Sequence, residues 1–352
     1  MERHAAARDR HRPGHETGEA VPVSTRTRVA VIGGGQNCEH EVSLSSAAAV
    51  AAALDARRHE VIALTIRPDG RWAGDDGVPL GATTAASLAA AVRVLGSCDV
   101  VLPVVHGRLG EDGTLAGLCA LAGVPCAGSP LGAGALAMDK WATKLAAEAV
   151  GVTTARGRVV TAAEAPTVEF HRPVVVKPVS AGSSHGVSLA RTAADLRGAL
   201  AEALELDDRV LVEEVVHGRE VDLAVAELPG GDLRISPPLE VLVDGGLFDT
   251  DTKYDGSARF LVPAPLTVAE LGQLRAATER VYRALGCRGI ARVDFFLTPS
   301  GPVLNEVNTM PGMTGESQVP RMFAADGWGY PALLDTWIEA TLAASPARVR
   351  AA

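Results

Sequence analysis

The sequence predicts a multidomain α/β protein, with strand–helix alternation in its N-terminal third and a mixed α+β arrangement after it. Three observations lead there. At 352 residues the chain exceeds one typical domain, so two or three compact units are expected. Apolar residues make up 47% of it, enough for a sizeable core. Short apolar runs bounded by Gly and Pro alternate with helix-length stretches, the order that builds a parallel sheet covered by helices.

Met1 to about Ser24 is rich in His, Arg, Gly and Pro without apolar periodicity. Residues 1–27 are therefore expected to form a disordered extension, in which His4, His11 and His15 fit a solvated tail better than a metal site. Order begins with a strand at Arg28–Ile32 that breaks at Gly33-Gly34-Gly35. A helix from about Ser43 to Leu54 and a strand near Glu60–Ile66 follow. Asp99–Val105 is a continuous apolar run, as expected of a strand buried on both faces of a parallel sheet. Thr114–Ala122 completes a first unit, residues 28–138.

One helix from about Met138 to Val150 opens a second unit, residues 139–217. There strands Pro173–Lys177 and Arg209–Glu214 flank a Gly/Ser-rich loop and a helix near Ala193–Leu204. The third unit, residues 218–345, holds a strand near Val221–Glu227, a helix Val268–Leu285 and a strand pair, Gly289–Leu297 and Pro302–Val307. Phe248–Ser257, rich in Asp, Gly and Thr, reads as a mobile loop.

Lys+Arg total 33 against Asp+Glu 42, a net charge of −9, which opposes a nucleic-acid partner. Small anionic substrates remain open, since a few local cations suffice for them. No apolar run is long enough to span a bilayer, and no apolar signal segment follows the N-terminal arginines. Cys38, Cys98, Cys119, Cys126 and Cys287 are odd in number and lack metal or redox spacing. Reduced thiols in a cytoplasmic protein are expected.

The richest constellation lies in the last strand pair. Side chains alternate faces along a strand, so Arg292 and Asp294 share one face, as do Glu306 and Asn308. Thr298-Pro299-Ser300-Gly301 is turn material, so the strands should form a hairpin that brings the four together. Two carboxylates and an amide oxygen suit Mg²⁺ bridging nucleotide phosphates; a solvated polar face with surface ion pairs fits the same residues. Lys177 ends the apolar strand Val174-Val175-Val176, and Ser180–Gly186 follows with Ser183 and Ser184. Small residues there let backbone N–H groups approach phosphate oxygens. The loop lacks the Gly-Lys-Ser/Thr ending of a Walker loop, and an ordinary turn is the commoner meaning. In Leu211–Val216, Glu213 is placed to accept from an adenine amine, with Glu220 near ribose hydroxyls; an acidic strand end is the bland alternative.

Gly33-Gly34-Gly35 lacks the third glycine of a dinucleotide fingerprint. Glu39-His40-Glu41 leads instead into Ser43, read as the helix cap. Glu39, at a strand's C-terminal end, is read as the ligand of a substrate ammonium. His106 leaves the buried strand at the same end, where a catalytic and a structural role are both open.

Together these segments resemble the D-alanine–D-alanine ligase family of ATP-grasp enzymes, from Arg28 to about Ala340. The marks are Glu39-His40-Glu41-Val42-Ser43-Leu44, His106-Gly107 with Gly110-Glu111-Asp112-Gly113, Met138-Asp139-Lys140, Val176-Lys177-Pro178 and Gly182-Ser183-Ser184. They continue with Thr252-Lys253-Tyr254, Arg292-Val293-Asp294 and Glu306–Thr314. The resemblance implies three domains, an N-terminal parallel-sheet domain and two ATP-grasp subdomains sandwiching ATP. It assigns Lys140, Lys177 and Ser184 to the phosphates, Glu213, Val216 and Glu220 to adenine and ribose, and Asp294, Glu306 and Asn308 to two Mg²⁺ ions, with Mn²⁺ as a substitute. Glu39 would hold the first D-alanine's ammonium, positioned by Ser183 and Tyr254, with His106 nearby and Lys253 on a closing loop. Arg292 and the Gly312 N–H would stabilise an oxyanion, and Ser317 with Gln318 would border the second amino acid. A cytoplasmic homodimer serving peptidoglycan synthesis is implied.

Three positions depart from the family pattern. Cys126 replaces a common tyrosine and His185 a small or apolar residue; both are read as tolerated. Gln318 stands where an apolar residue is usual, and an amide there would admit a hydroxyl-bearing acceptor. The competing readings are a ligase for D-lactate or D-serine, a dipeptide-forming ligase of specialised metabolism, and a nucleotide-binding regulatory module without catalysis.

Overall fold

The computed structural model describes residues 26–242 and 259–345. Most of the N-terminal extension and all of the Phe248–Ser257 loop, with Lys253 and Tyr254, lie outside the described residues. In chain order the N-terminal part runs β1 (Thr27–Gly34), α1 (His40–Ala53), β2 (His59–Ile66), β3 (Trp72–Ala73), α2 (Thr84–Gly96), β4 (Val100–Pro103) and α3 (Thr114–Leu121). Then come α4 (Leu131–Met138), α5 (Lys140–Ala149), β5 (Gly157–Thr161), β6 (Val174–Pro178), β7 (Ser188–Ala190), α6 (Ala193–Leu206) and β8 (Arg209–Glu214). The last part is β9 (Arg219–Glu227), β10 (Leu233–Ile235), β11 (Leu239–Leu242), β12 (Arg259–Leu261), α7 (Val268–Leu285), β13 (Ile290–Thr298), β14 (Gly301–Asn308), α8 (Gln318–Ala324) and α9 (Tyr330–Ala344).

The first sheet has the order β3-β2-β1-β4, with β1 parallel to both β2 and β4. Its apolar strands are buried because helices cover them, as a parallel sheet requires. β4 is shorter than the apolar run Asp99–Val105 implied. Pro103 has no N–H for the ladder, and the chain folds back there through Val104 N–H to Leu102 C=O and Val105 N–H to Pro103 C=O. That turn delivers His106 to the C-terminal end of the sheet.

α1 starts three residues before the expected Ser43. The Asn37 side chain accepts from Glu39 N–H at 2.9 Å and starts the turn. Ser43 is consequently inside the helix, fully buried, and its hydroxyl donates to Val104 C=O instead of capping. The helix expected from about Met138 to Val150 forms as α5, Lys140–Ala149, while α4, which ends at Met138, was not expected. Asp139 is extended (φ −82°, ψ 100°) and accepts from Ala142 N–H at 2.8 Å as the cap of α5.

A four-stranded antiparallel sheet, β5-β8-β6-β7, is backed by α6. A six-stranded sheet, β12-β11-β9-β13-β14 with β10 on β9, is backed by α7. α4 and α5 pack on this larger sheet and α7, so the stretch expected to open the central unit joins the core of the third. α9 lies against α1, β4 and β9. Val31, Leu102, Ala224, Ile290, Phe323 and Trp337 form one buried cluster there, fixing the first sheet against the third unit.

Candidate active site

The two antiparallel sheets enclose a cavity of about 880 Å³, within the usual range for small-molecule sites. Val175 and Leu189 line it from the smaller sheet, and Val241, Phe296 and Leu304 from the larger. Val216 lies on the segment that links the two sheets and Glu220 on β9; Ser184 and His185 come from the Gly/Ser loop. Lys140, Lys177 and Glu306 close the polar end.

Local pairing fixes each cation. Lys177, 6% exposed, sits 2.6 Å from Glu213 and 3.4 Å from the Asn305 amide oxygen. Lys144, 4% exposed, holds the other Glu213 oxygen at 2.9 Å and donates to Ala155 C=O. Burial pushes the Glu213 carboxyl up, but Lys177 and Lys144 together hold it below the usual carboxylate range. Glu213 thus lines the cavity, as its adenine assignment needs, with each oxygen already carrying an ammonium. Lys140 donates to Ala181 C=O at 2.7 Å and lies 3.5 Å from Glu306.

The expected hairpin forms, with Arg292 opposite Asn308 and Asp294 opposite Glu306. Arg292 grips Asp294 through two bonds of 2.7 Å, and Asn308 donates to Asp294 at 3.0 Å. A bulge after Asp294 makes Phe295 pair with Leu304, leaving Asn305 as the extra residue; such a bulge re-aims side chains, and Asn305 reaches Lys177. On β9, Asp222 pairs with Asp294, giving a row of Asp222, Asp294 and Glu306 across three strands. Burial opposes the Arg292 charge, but Asp294, Asp222 and Glu306 outweigh it and raise its pKa. Gln318 donates to Asp222 at 3.1 Å, so one of its two amide N–H groups is used inside the protein.

At the other side of the Gly/Ser loop, Ser183 hydroxyl donates to Glu39. Ser183 and Ser184 both adopt left-handed backbone (φ 49° and 56°), a conformation L-residues hold at a cost of roughly 1–2 kcal/mol each. Glu39 lies against two glycines: a Cβ at Gly107 would sit 2.5 Å, and one at Gly182 2.8 Å, from its Oε2. His106 is 4% exposed, with Nδ1 2.8 Å from Met310 C=O and Nε2 3.1 Å from Ser46 Oγ. Burial lowers its pKa. Glu111 accepts from Gly107 N–H at 3.3 Å and Met310 N–H at 3.2 Å. Burial first, then the Glu39 charge, pushes its pKa up to about 7. Ser317 Oγ bonds Thr314 N–H and Oγ1, and lies beside Gly312.

The model for the N-terminal domain of D-Ala–D-Ala ligases matches residues 28–129, and that for the C-terminal domain residues 149–339. The chain belongs to the D-alanine–D-alanine ligase family. It is 41% identical to the D-alanine–D-alanine ligase of Mycolicibacterium paratuberculosis, covering 91% of this chain and 98% of that protein. The Mycobacterium tuberculosis ligase is also 41% identical, over 90% and 96%. Among solved structures, the VanG D-Ala:D-Ser ligase from Enterococcus faecalis superposes with a TM-score of 0.78 at 31% identity, covering 90% of this chain and all of that one. The ATP-complexed Bacillus anthracis D-alanine–D-alanine ligase gives 0.73 at 26%, over 90% and 97%.

Sequence reasoning gave no role to four residues that the structure places at or beside the site of this family member. Asp222 was visible as an acid inside an apolar strand, Val221 to Ala226. Glu111 stands in the family segment Gly110–Gly113, yet nothing in its spacing marks a function. Ser46 and Lys144 carry no local signal, because their partners are 60 and 69 residues away.

Proposed function

We propose that the chain is an ATP-dependent D-alanine–D-alanine ligase that joins two D-alanines through an acyl phosphate, for peptidoglycan precursors. The observation that carries this is a juxtaposition. A nucleotide-sized cavity ends in two lysines and Glu306, while the loop forming its roof, Gly182-Ser183-Ser184, also grips Glu39 at the start of α1. ATP phosphates on one side of that loop would meet an amino-acid ammonium on the other.

In this reading Val175, Leu189, Val216 and Phe296 hold the adenine, and Glu220 the ribose. Lys140, Lys177 and the Ser184 loop receive the phosphates. The donor set of Asp294, Glu306 and the Asn308 amide oxygen is all hard oxygen and fits Mg²⁺. Among the described residues no three His, Cys, Asp or Glu gather into a complete site, so phosphate oxygens would complete the shell. Bound there, Mg²⁺ offsets charge on the transferring phosphoryl group.

Glu39, held by Ser183, anchors the first D-alanine so that its carboxylate oxygen attacks the γ-phosphorus and ADP leaves. This makes a poor acyl donor into one with a good leaving group. The second D-alanine, its carboxylate near Ser317, gives its ammonium proton to solvent and attacks the carbonyl through nitrogen; inorganic phosphate departs from the tetrahedral state and carries off the second proton of that nitrogen. Arg292 and Gly312 N–H face the oxyanion, where one donor is worth roughly 3–4 kcal/mol. Acyl phosphates hydrolyse readily, and Lys253 and Tyr254 would belong to a lid excluding water. Among the described residues no helix is long and apolar enough to cross a membrane. A cytoplasmic homodimer is part of the proposal, and sedimentation would check its mass.

D-lactate or D-serine acceptors, specialised dipeptide synthesis and a non-catalytic module are not favoured, because relatives matched over nearly their whole length are named D-alanine–D-alanine ligases. The test is phosphate release from Mg-ATP over a panel of D-amino acids, L-amino acids and D-lactate. D-alanine alone should support turnover. Turnover only with D-lactate present would overturn the acceptor, and none with any pair would overturn the activity.

A further inference from the structure

In the proposed ligase reading, on which this inference rests, Gly312 N–H faces the tetrahedral carbon. The backbone of its segment, Met310–Met313, is pinned on both sides of that glycine. Met310 C=O lies 2.8 Å from His106 Nδ1, and Met310 N–H donates to Glu111 at 3.2 Å. Met313 N–H donates to Ser46 Oγ at 3.3 Å, and Met313 C=O accepts from the Tyr330 hydroxyl. Pro311 has no N–H. Among the described residues, Gly312 N–H is left as the donor of this segment with no partner inside the protein, on a half-buried residue where a ligand oxygen can reach it.

The pattern also assigns the protons. A carbonyl only accepts, so His106 Nδ1 carries the hydrogen. Nε2 then accepts from Ser46 O–H, whose oxygen in turn accepts Met313 N–H. Ser46 is fully buried and His106 4% exposed, so neither changes partner cheaply. We infer that Ser46, His106 and Glu111 are positioning residues, a clamp that aims the Gly312 N–H at the developing oxyanion. His106 is a neutral bridge in this clamp rather than the acid or base of the reaction. Its lowered basicity, caused by burial, agrees with that role.

The clamp stitches the N-terminal sheet to the C-terminal loop, since its three residues come from α1, the turn after β4 and the segment before α3. An oxyanion donor so held needs no reorganisation during reaction. Misplacement by about 1 Å from a site remote from the chemistry costs on the order of 100-fold.

Ser46→Ala, Glu111→Gln and His106→Ala are compared with wild type in D-alanine-dependent phosphate release. Each is also titrated, with ATP present, with an aminoalkyl phosphinate that mimics the tetrahedral state. Ser46→Ala should lower kcat about 10- to 100-fold while the KM for ATP stays within about twofold. Phosphinate affinity should fall by the same factor as kcat/KM, the mark of a transition-state effect. His106→Asn, whose amide N–H can still donate to Met310 C=O, should regain part of the loss in His106→Ala. Wild-type kcat and phosphinate affinity in Ser46→Ala would overturn the clamp. So would an equal loss of affinity for ATP and phosphinate, which general loosening of the fold gives. If Ser46→Ala does not fold, Glu111→Gln, on a half-buried side chain, decides by the same two readouts. Failure of the wild type to turn over D-alanine would instead overturn the ligase reading itself.

Discussion

Replacing Glu213 by Gln removes the carboxylate that two buried ammonium groups share. Lys177 lies 2.6 Å and Lys144 2.9 Å from it, and all three residues are less than a tenth exposed. The wild-type triad carries one net positive charge; the variant carries two. Removing one partner of a buried ion pair costs about 3–5 kcal/mol. The lower end applies, because the Asn305 amide oxygen and Ala155 C=O still accept from the lysines. Lys144→Met leaves the Glu213–Lys177 pair intact and neutral overall, and should cost no more than about 2 kcal/mol. The pH dependence has a definite sign. Glu213 is held below its ordinary value of 4.5, so its stabilisation is complete above that value and fades as pH falls through the lower folded value. Urea unfolding of wild type and both variants at pH 7 and pH 4 measures all of this. A Glu213→Gln variant within about 1 kcal/mol of wild type at pH 7, or a penalty that grows toward acid, would refute the triad's role in holding Lys177 at the polar end of the cavity.

Glu306→Gln should abolish turnover and weaken Mn²⁺ binding, measured calorimetrically with a non-hydrolysable ATP analogue, at least about 10-fold; near-normal values would remove the metal site. Gly107→Ala places a Cβ 2.5 Å from Glu39 at φ 71°. It should cost about 100-fold in kcat/KM for D-alanine with the KM for ATP unchanged, and equal loss for both substrates would count against Glu39 as the ammonium site. Glu111 is raised from 4.5 to about 7, so the folded state favours its protonated form and loses stability as pH rises from 4.5 through 7. Glu111→Gln should therefore gain on wild type by at most about 3 kcal/mol at pH 8, with the gap closing by pH 5 in denaturation curves.

What the sequence made legible was periodic or punctuated. Helix α7 matches its expected span Val268–Leu285 because Thr267 and Glu270 form a reciprocal cap and Gly286 ends it at φ 72°. The β13–β14 hairpin was readable from period-two alternation, which puts Arg292 beside Asp294 and Glu306 beside Asn308. α2, Thr84–Gly96, was missed because its cap Thr83 accepts from Ala86 N–H at a position where Ala86 cannot complete a capping box. α5 was legible behind its cap Asp139, whereas α4, Leu131–Met138, was missed because no side chain caps its start. At the site, Lys177, Glu39 and His106 were visible by their places at strand ends. Their meaning depends on partners far along the chain: Glu213 for Lys177, Ser183 for Glu39, and Met310 and Ser46 for His106. No local pattern encodes that the His106 ring is committed on both nitrogens, nor that a bulge after Asp294 turns Asn305 toward Lys177.

The central claim is that the first D-alanine's own carboxylate oxygen takes the γ-phosphoryl group before the amine arrives. D-alanine labelled with ¹⁸O in both carboxylate oxygens, turned over with unlabelled Mg-ATP and analysed by mass spectrometry, tests it directly. One labelled oxygen should leave in the inorganic phosphate while its partner stays in the peptide carbonyl. Unlabelled phosphate alongside dipeptide, or label recovered in AMP, would contradict the account.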